Sequence, residues 1–190
     1  MEMNLPNKLT VLRVILAPLF LVLLVVEFPH HYLAAMIVFI AASLTDMAGG
    51  KIARKRNLIT NFGKFMDPLA DKMIVHAAFI GFLYLNIGTG ILWINFIMLT
   101  REFLVTSVRY MAATNGKVGA AGIWGKLKTV TQMAAVIAAI FFEWLLSFEC
   151  IAPAEFTLHI VDSVLLWISA IMSVISGANY LIQNKEFFTK

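Results

Sequence analysis

The stretch TDMAGGKIARKRNLITNFGKFMDPLADK, residues 45–72, decides how the whole chain reads. It holds Asp46, Asp67 and Asp71, the Gly49-Gly50 pair, and the cations Lys51, Arg54, Lys55, Arg56, Lys64 and Lys72. The sequence around it is greasy. Of 190 residues, 61% are hydrophobic and only 14% are charged, and mean hydropathy is +0.85. A soluble domain carries about 45–50% apolar and about 25% charged residues. The composition therefore predicts an all-α, polytopic integral membrane protein. Its length suits a single domain over residues 1–190. Concentrated charge in such a chain marks either a loop at the membrane surface or a site.

Six stretches approach the roughly 20 apolar residues that a spanning helix needs. They lie at about Leu9–Phe28, Tyr32–Ile52, Phe65–Leu85, Ile91–Met111, Leu127–Phe148 and Leu158–Ile182. Pro18 inside the first is tolerable in lipid. The run Val14–Val26 follows Lys8 and Arg13 in the manner of a signal peptide. It ends in Glu27-Phe28-Pro29-His30-His31 without a small-x-small cleavage site, so the first span is expected to be retained. The connections Pro29–His31, Asn86–Gly90 and Glu149–Thr157 contain no Lys or Arg. The N-terminus, the 51–64 and 109–128 connections and the C-terminal tail hold nearly all of them. The positive-inside rule then places both termini and both basic connections in the cytoplasm. An even number of spans agrees with this. The formal net charge of +4 is read as orientation, with no nucleic-acid partner expected. A single cysteine, Cys150, excludes an intrachain disulfide. Glu27, Glu143, Glu149, Glu155 and Asp162 fall near the outer ends and read as headgroup-level charges.

The aspartates lie at the cytoplasmic ends of the second and third spans. Asp67 and Asp71 are i,i+4 and share a helix face, while position 49 is i+3 from Asp46. Carboxylates converging from two helices suit Mg²⁺ or Mn²⁺. Ionisable groups this near a bilayer are functional candidates by default. Ion pairing with Lys51, Arg54 or Lys72 is the plain alternative. Gly50, Ala53 and Gly63 allow a backbone or a flat ligand to come close. A guanidinium such as that of Arg54 matches a phosphate bidentately.

The pattern Asp46-x2-Gly49-Gly50-x2-Ala53-Arg54-x8-Gly63-x3-Asp67-x3-Asp71 resembles the signature of the CDP-alcohol phosphatidyltransferase family, D-x2-D-G-x2-A-R-x8-G-x3-D-x3-D. Every position matches except one. The resemblance implies a six-span helical bundle that transfers a phosphatidyl group from a CDP-linked lipid to an alcohol and releases CMP. It implies Asp46, Asp67 and Asp71 as ligands of two divalent metals, with Asp71 also the catalytic base. Gly50, Ala53, Arg54 and Gly63 would lie along the CDP moiety. The departure is Gly49, which stands where the family has its second aspartate and offers no side-chain oxygen. The implied metal site is thus one carboxylate short. An impaired enzyme fits this, and so does a member that binds the CDP-lipid with little turnover.

The segment TREFLVTSVRYMAATNGKVGAAGIWGKLKTVTQ, residues 100–132, is the second informative stretch. Arg101 and Glu102 sit inside an apolar span, where charge is expensive. Arg109 follows two turns later on roughly the same face. Gly116, Gly119, Gly122 and Gly125 recur every third residue, and such a loop exposes backbone N–H groups to an anion unless it is simply flexible. Converging cations suit an acceptor that carries its own phosphate. The residues Arg101, Glu102, Arg109, Gly125, Lys126, Lys128, Thr129 and Gln132 are similar to the R-E…R…G-K-x-K-T…Q pattern of one branch of the family, the phosphatidylglycerophosphate synthases. LPNKLTVLR, residues 5–13, is similar to that branch's N-terminal pattern. By this resemblance Arg101, Arg109, Lys126 and Lys128 would hold the phosphate of glycerol 3-phosphate. Asn7, Thr10 and Arg13 are weaker candidates for the nucleotide end. CDP-diacylglycerol would be the donor, the bilayer the surrounding partner, and a homodimer the assembly. Another alcohol acceptor is the alternative within the family. A cation transporter is the alternative outside it, though transport sites tend to lie near the midplane rather than at one membrane edge.

Overall fold

A computed structural model describes residues 4–55, 61–114 and 122–184. Among them there are six α-helices and no strand. They are α1 (Leu5–Val25), α2 (His31–Lys55), α3 (Asn61–Leu85), α4 (Ile91–Thr114), α5 (Ile123–Leu146) and α6 (Glu155–Gln183), with a 3₁₀ turn at Glu149–Ala154 ahead of α6. Five of the six are long and apolar enough to cross a bilayer. The protein is all-helical and polytopic, as its hydropathy predicts. The exception is α2, whose apolar part runs only from His31 to Asp46. Hydropathy alone extends that span to Ile52. Past Asp46 the helix continues through the polar GGKIARK end, so the helix is longer than its apolar segment.

The chain forms two compact units. One comprises Met1–Leu85 and Val136–Glu155, the other Asn86–Ala135 and Phe156–Lys190. In the first, α1 packs against both α2 and α3. Its buried residues are Pro6, Asn7, Thr10, Arg13, Ala17, Phe20 and Leu24, the three-and-four spacing of one helix face. That face changes character along its length. Ala17, Phe20 and Leu24 form an apolar half, where Phe20 meets Phe39 with ring centroids 5.5 Å apart. At Gly81 of α3 a Cβ would crowd Leu24 Cδ2, so glycine lets Leu24 pack here without shifting. Asn7, Thr10 and Arg13 form a polar half, and this half builds the acidic site.

In the second unit α6 presents a stripe of small buried residues, Ser163, Ser169, Ala170, Ser173, Ser176 and Gly177. Small side chains let helices approach closely in lipid. The turn before α4 is tight, with Asn86 (φ 57°), Gly88 (φ 87°) and Gly90 (φ 75°) in left-handed conformations. Trp167 of α6 donates its indole N–H to Thr89 O at 3.0 Å, and Ser163 Oγ accepts from Thr89 N at 2.8 Å. The turn is thereby pinned to α6.

Candidate active site

The first cluster lies where the polar half of α1 meets α2 and α3. Arg13 is 2% exposed. Two carboxylates face it. Its Nη1 donates to Asp46 Oδ1 of α2, and its Nη2 donates to Asp67 Oδ1 of α3 at 3.2 Å. Thr10, one turn earlier, places its hydroxyl against Asp67 Oδ1 and against Pro6 O at 3.0 Å. Arg13 Nη2 also approaches Thr10 Oγ1 at 3.4 Å. A guanidinium thus sits between aspartates drawn from two helices. Sequence similarity assigns Thr10 and Arg13 to the nucleotide end; in the structure both face the carboxylates. Arg13 Nε is buried without a hydrogen-bond partner among the described residues.

Asp71 is half-buried one turn beyond Asp67. Asp46 and Asp67 set against Arg13 leave a negative balance. Such hard oxygen donors suit Mg²⁺ or Mn²⁺. No group of three or more His, Cys, Asp or Glu stands close enough to hold a metal ion among the described residues. Gly49 adds no side-chain oxygen to the aspartates. A Cβ built there would lie 3.7 Å from Leu9 Cδ1 and 3.8 Å from Arg13 Nη2, so the missing side chain would point at the same guanidinium. Gly50 is half-buried beside it, and Gly63 is buried one turn before Asp67. Ala53 and Arg54 belong to the last turns of α2, and their side chains lie outside the described residues, as do residues 56–60 of the basic connection.

The second cluster lies within the other unit. Arg101 of α4 reaches α6. Its Nε donates to Ser173 O at 3.2 Å and its Nη2 to Ser176 Oγ at 2.9 Å. Its Nη1 donates to Glu102 Oε1 at 2.9 Å, and Lys128 Nζ of α5 donates to the same oxygen. Glu102 and Lys128 are both buried. Burying three charges is tolerable only when they pair. Two cations share one carboxylate, so the trio keeps a positive charge. Arg109 adds another. Its Cζ lies 5.8 Å from the centroid of the Tyr180 ring, within cation–π range.

Of the four cations expected at an acceptor phosphate, Arg101 and Arg109 line one small cavity of about 30 Å³. Lys128 joins Arg101 through Glu102. Lys126 is exposed and is not among the residues lining that cavity. Gly122 and Gly125 do line it, whereas Gly116 and Gly119 lie outside the described residues. Sequence patterns assign no role to Ser173, Ser176, Gly177 and Tyr180 of α6, because the last sixty residues read as spans alone. The pattern S-x2-S-G-x2-Y, small polar groups at helical spacing within an apolar run, is the signal available there.

Gly177 makes this arrangement possible, since a Cβ there would stand 2.9 Å from Arg101 Cγ. That contact is with the side-chain stem and cannot be relieved by swinging a flexible tip. Gly177→Ala should displace Arg101 and destabilise the unit by about 1–3 kcal/mol, the usual range for overpacking. Thermal unfolding in detergent, compared with Ala178→Gly at the exposed neighbouring position, checks this.

The profile of the CDP-alcohol phosphatidyltransferase family matches residues 3–175. The chain belongs to that family. Among its relatives, a Bacillus subtilis protein named CDP-diacylglycerol–glycerol-3-phosphate 3-phosphatidyltransferase is 37% identical, with 96% of each chain covered. Relatives of the same name from Rickettsia prowazekii (34% identical, 98% of each chain) and Wigglesworthia glossinidia brevipalpis (32% identical, 95% of this chain and 94% of the relative) match it to a similar extent.

Proposed function

We propose that this chain transfers the phosphatidyl group of CDP-diacylglycerol to sn-glycerol 3-phosphate, giving phosphatidylglycerophosphate and CMP. The observation that carries the acceptor is the positive cluster of Arg101, Lys128 and Arg109, set around Glu102 within an apolar unit. A phosphate-bearing alcohol suits such a cluster. The donor follows from the family and from the names of the relatives.

In this reading Asp71 takes the proton of the acceptor hydroxyl as its oxygen attacks the β-phosphorus of CDP-diacylglycerol. The bond from that phosphorus to the bridging oxygen breaks, and CMP leaves with the bridging oxygen. Gly50, Ala53, Arg54 and Gly63 lie along the CDP moiety. Asp46, Asp67 and Asp71 are the side chains that would hold Mg²⁺ or Mn²⁺, whose chemistry there is to neutralise phosphate charge. Arg13 holds Asp46 and Asp67 in register between the helices. The acyl chains stay in the bilayer. Loop charges support a position for the site and both termini at the cytoplasmic face of the cell membrane. The whole chain acts as one catalytic domain, assembled as a homodimer.

Gly49 favours a second reading, a member that binds the CDP-lipid and turns over weakly. CMP release from CDP-diacylglycerol separates the two, with glycerol 3-phosphate, serine and inositol phosphate offered in turn. Release with glycerol 3-phosphate alone supports the synthase. Release with a different alcohol refutes the acceptor assignment. CDP-diacylglycerol binding without release under any condition supports the second reading.

A further inference from the structure

We infer that the Arg13 guanidinium is a built-in cation of the acidic cluster, competing with a divalent metal ion for the carboxylates of Asp46 and Asp67. The inference rests on the proposed function for a metal being bound there at all, and on the contacts of α1 for the competition.

Arg13 comes from a different helix from either carboxylate. Its Nη1 donates to Asp46 Oδ1 and its Nη2 to Asp67 Oδ1 at 3.2 Å. One planar fork thus ties α2 to α3. The partners differ in exposure. The Arg13 side chain is 2% exposed, whereas those of Asp46 and Asp67 are 36% and 45% exposed. The guanidinium therefore holds the pair from the buried side, and an ion from solution meets it from the open side. Both cations then draw on the same two carboxylates. Two carboxylates against one guanidinium leave a single surplus negative charge. That surplus attracts a divalent ion less than the bare pair would, because site affinity follows the charge count of the ligands. Position 49 sharpens the effect. A Cβ there would lie 3.8 Å from Arg13 Nη2, so a carboxylate at 49 would add its charge beside the guanidinium, and glycine adds none. Charge is also what anchors Arg13. Its Nε is buried with no hydrogen-bond partner, and its one neutral partner among the described residues is Thr10 Oγ1 at 3.4 Å. Its remaining hydrogen bonds go to the oxygens that a metal would also seek.

Arg13→Gln tests this, since it removes the charge and keeps amide donors for the carboxylates. Arg13→Lys is the control that keeps the charge. Mn²⁺ binding is measured by calorimetry near neutral pH, without substrates, with the full chain in phosphatidylcholine nanodiscs. Arg13→Gln should bind Mn²⁺ at least roughly tenfold more tightly than the wild type, the scale on which a nearby unit charge shifts a carboxylate's affinity for a proton. Arg13→Lys should stay near the wild type. Melting temperature gives a second readout that serves even if Arg13→Gln is too unstable for calorimetry. Without metal it should fall, and Mn²⁺ should restore it by more than it raises the wild type, because an ion that binds the folded state stabilises it. An arginine that only ties helices together predicts a different result. Arg13→Gln would then melt lower, bind Mn²⁺ no more tightly, and gain no more from Mn²⁺ than the wild type does. That result overturns the inference, as does Mn²⁺ binding by neither protein. The inference and the proposed reaction fail separately. Mn²⁺ binding that ignores Arg13, with CMP release intact in the wild type, removes the competition and leaves the reaction. Arg13-dependent Mn²⁺ binding without CMP release does the reverse.

Discussion

Asp71→Asn should lower the rate of CMP release about 10²- to 10⁴-fold, the usual contribution of a positioned general base. The substitution keeps the size of the side chain and removes its ability to take a proton. Asp71 stands on α3, one turn after Asp67, so both carboxylates project from the same helix face. Asp71 is half-buried. Asp67 is held by Arg13 and Thr10 of α1. In the proposed reaction the base role falls to Asp71, as the family pattern implies. Two measurements separate a base from a metal ligand. If raising Mn²⁺ restores the Asp71→Asn rate, Asp71 acts mainly by holding metal. If the loss persists at saturating Mn²⁺ with CDP-diacylglycerol binding intact, it acts on the proton. A loss under tenfold would remove Asp71 from the chemistry altogether.

The parts of the molecule legible in the sequence are those that depend on local pattern. In lipid the backbone must satisfy its own hydrogen bonds, so a long apolar run has little choice but to be a helix. That is why α1, α3, α4, α5 and α6 fall close to their expected positions. The end of the apolar part of α2 is less clear, because Gly49 and Gly50 look harmless on a hydropathy count while Lys51 onward are polar. The aspartates are legible because their spacing is a signature. The counter-ion is not. Nothing in LPNKLTVLR says that Arg13 will settle between Asp46 and Asp67, since that pairing joins three helices. The α6 contribution is hidden for a related reason. Serine, glycine and tyrosine are all at home in a spanning helix, and Ser173, Ser176 and Gly177 gain meaning only when Arg101 arrives from α4 to meet them. Glu102 shows the intermediate case. Its place beside Arg101 marks an ion pair, but its sharing with Lys128 requires the fold.

Gly49→Asp should raise metal-dependent CMP release at least tenfold. The reasoning begins with space. A Cβ at position 49 meets Leu9 and Arg13 only at 3.7–3.8 Å, ordinary van der Waals distance, so the helices need not move. The backbone gains as well, since glycine inside a helix is the poorest ordinary helix former and aspartate is somewhat better. The electrostatic consequence is larger. One guanidinium now faces two carboxylates, Asp46 and Asp67. A third carboxylate on the same centre adds negative charge that Arg13 alone cannot offset, and a divalent cation is the group that does so. The wild type should therefore show a small rise in melting temperature with Mg²⁺, and Gly49→Asp a clearly larger one. Calorimetric Mn²⁺ titration reads the same difference without reference to turnover. Tighter Mn²⁺ binding with unchanged CMP release would mean that the missing ligand does not limit the reaction. Equal Mn²⁺ affinity in both proteins would mean that position 49 does not face the metal, and the argument from Arg13 would fall with it.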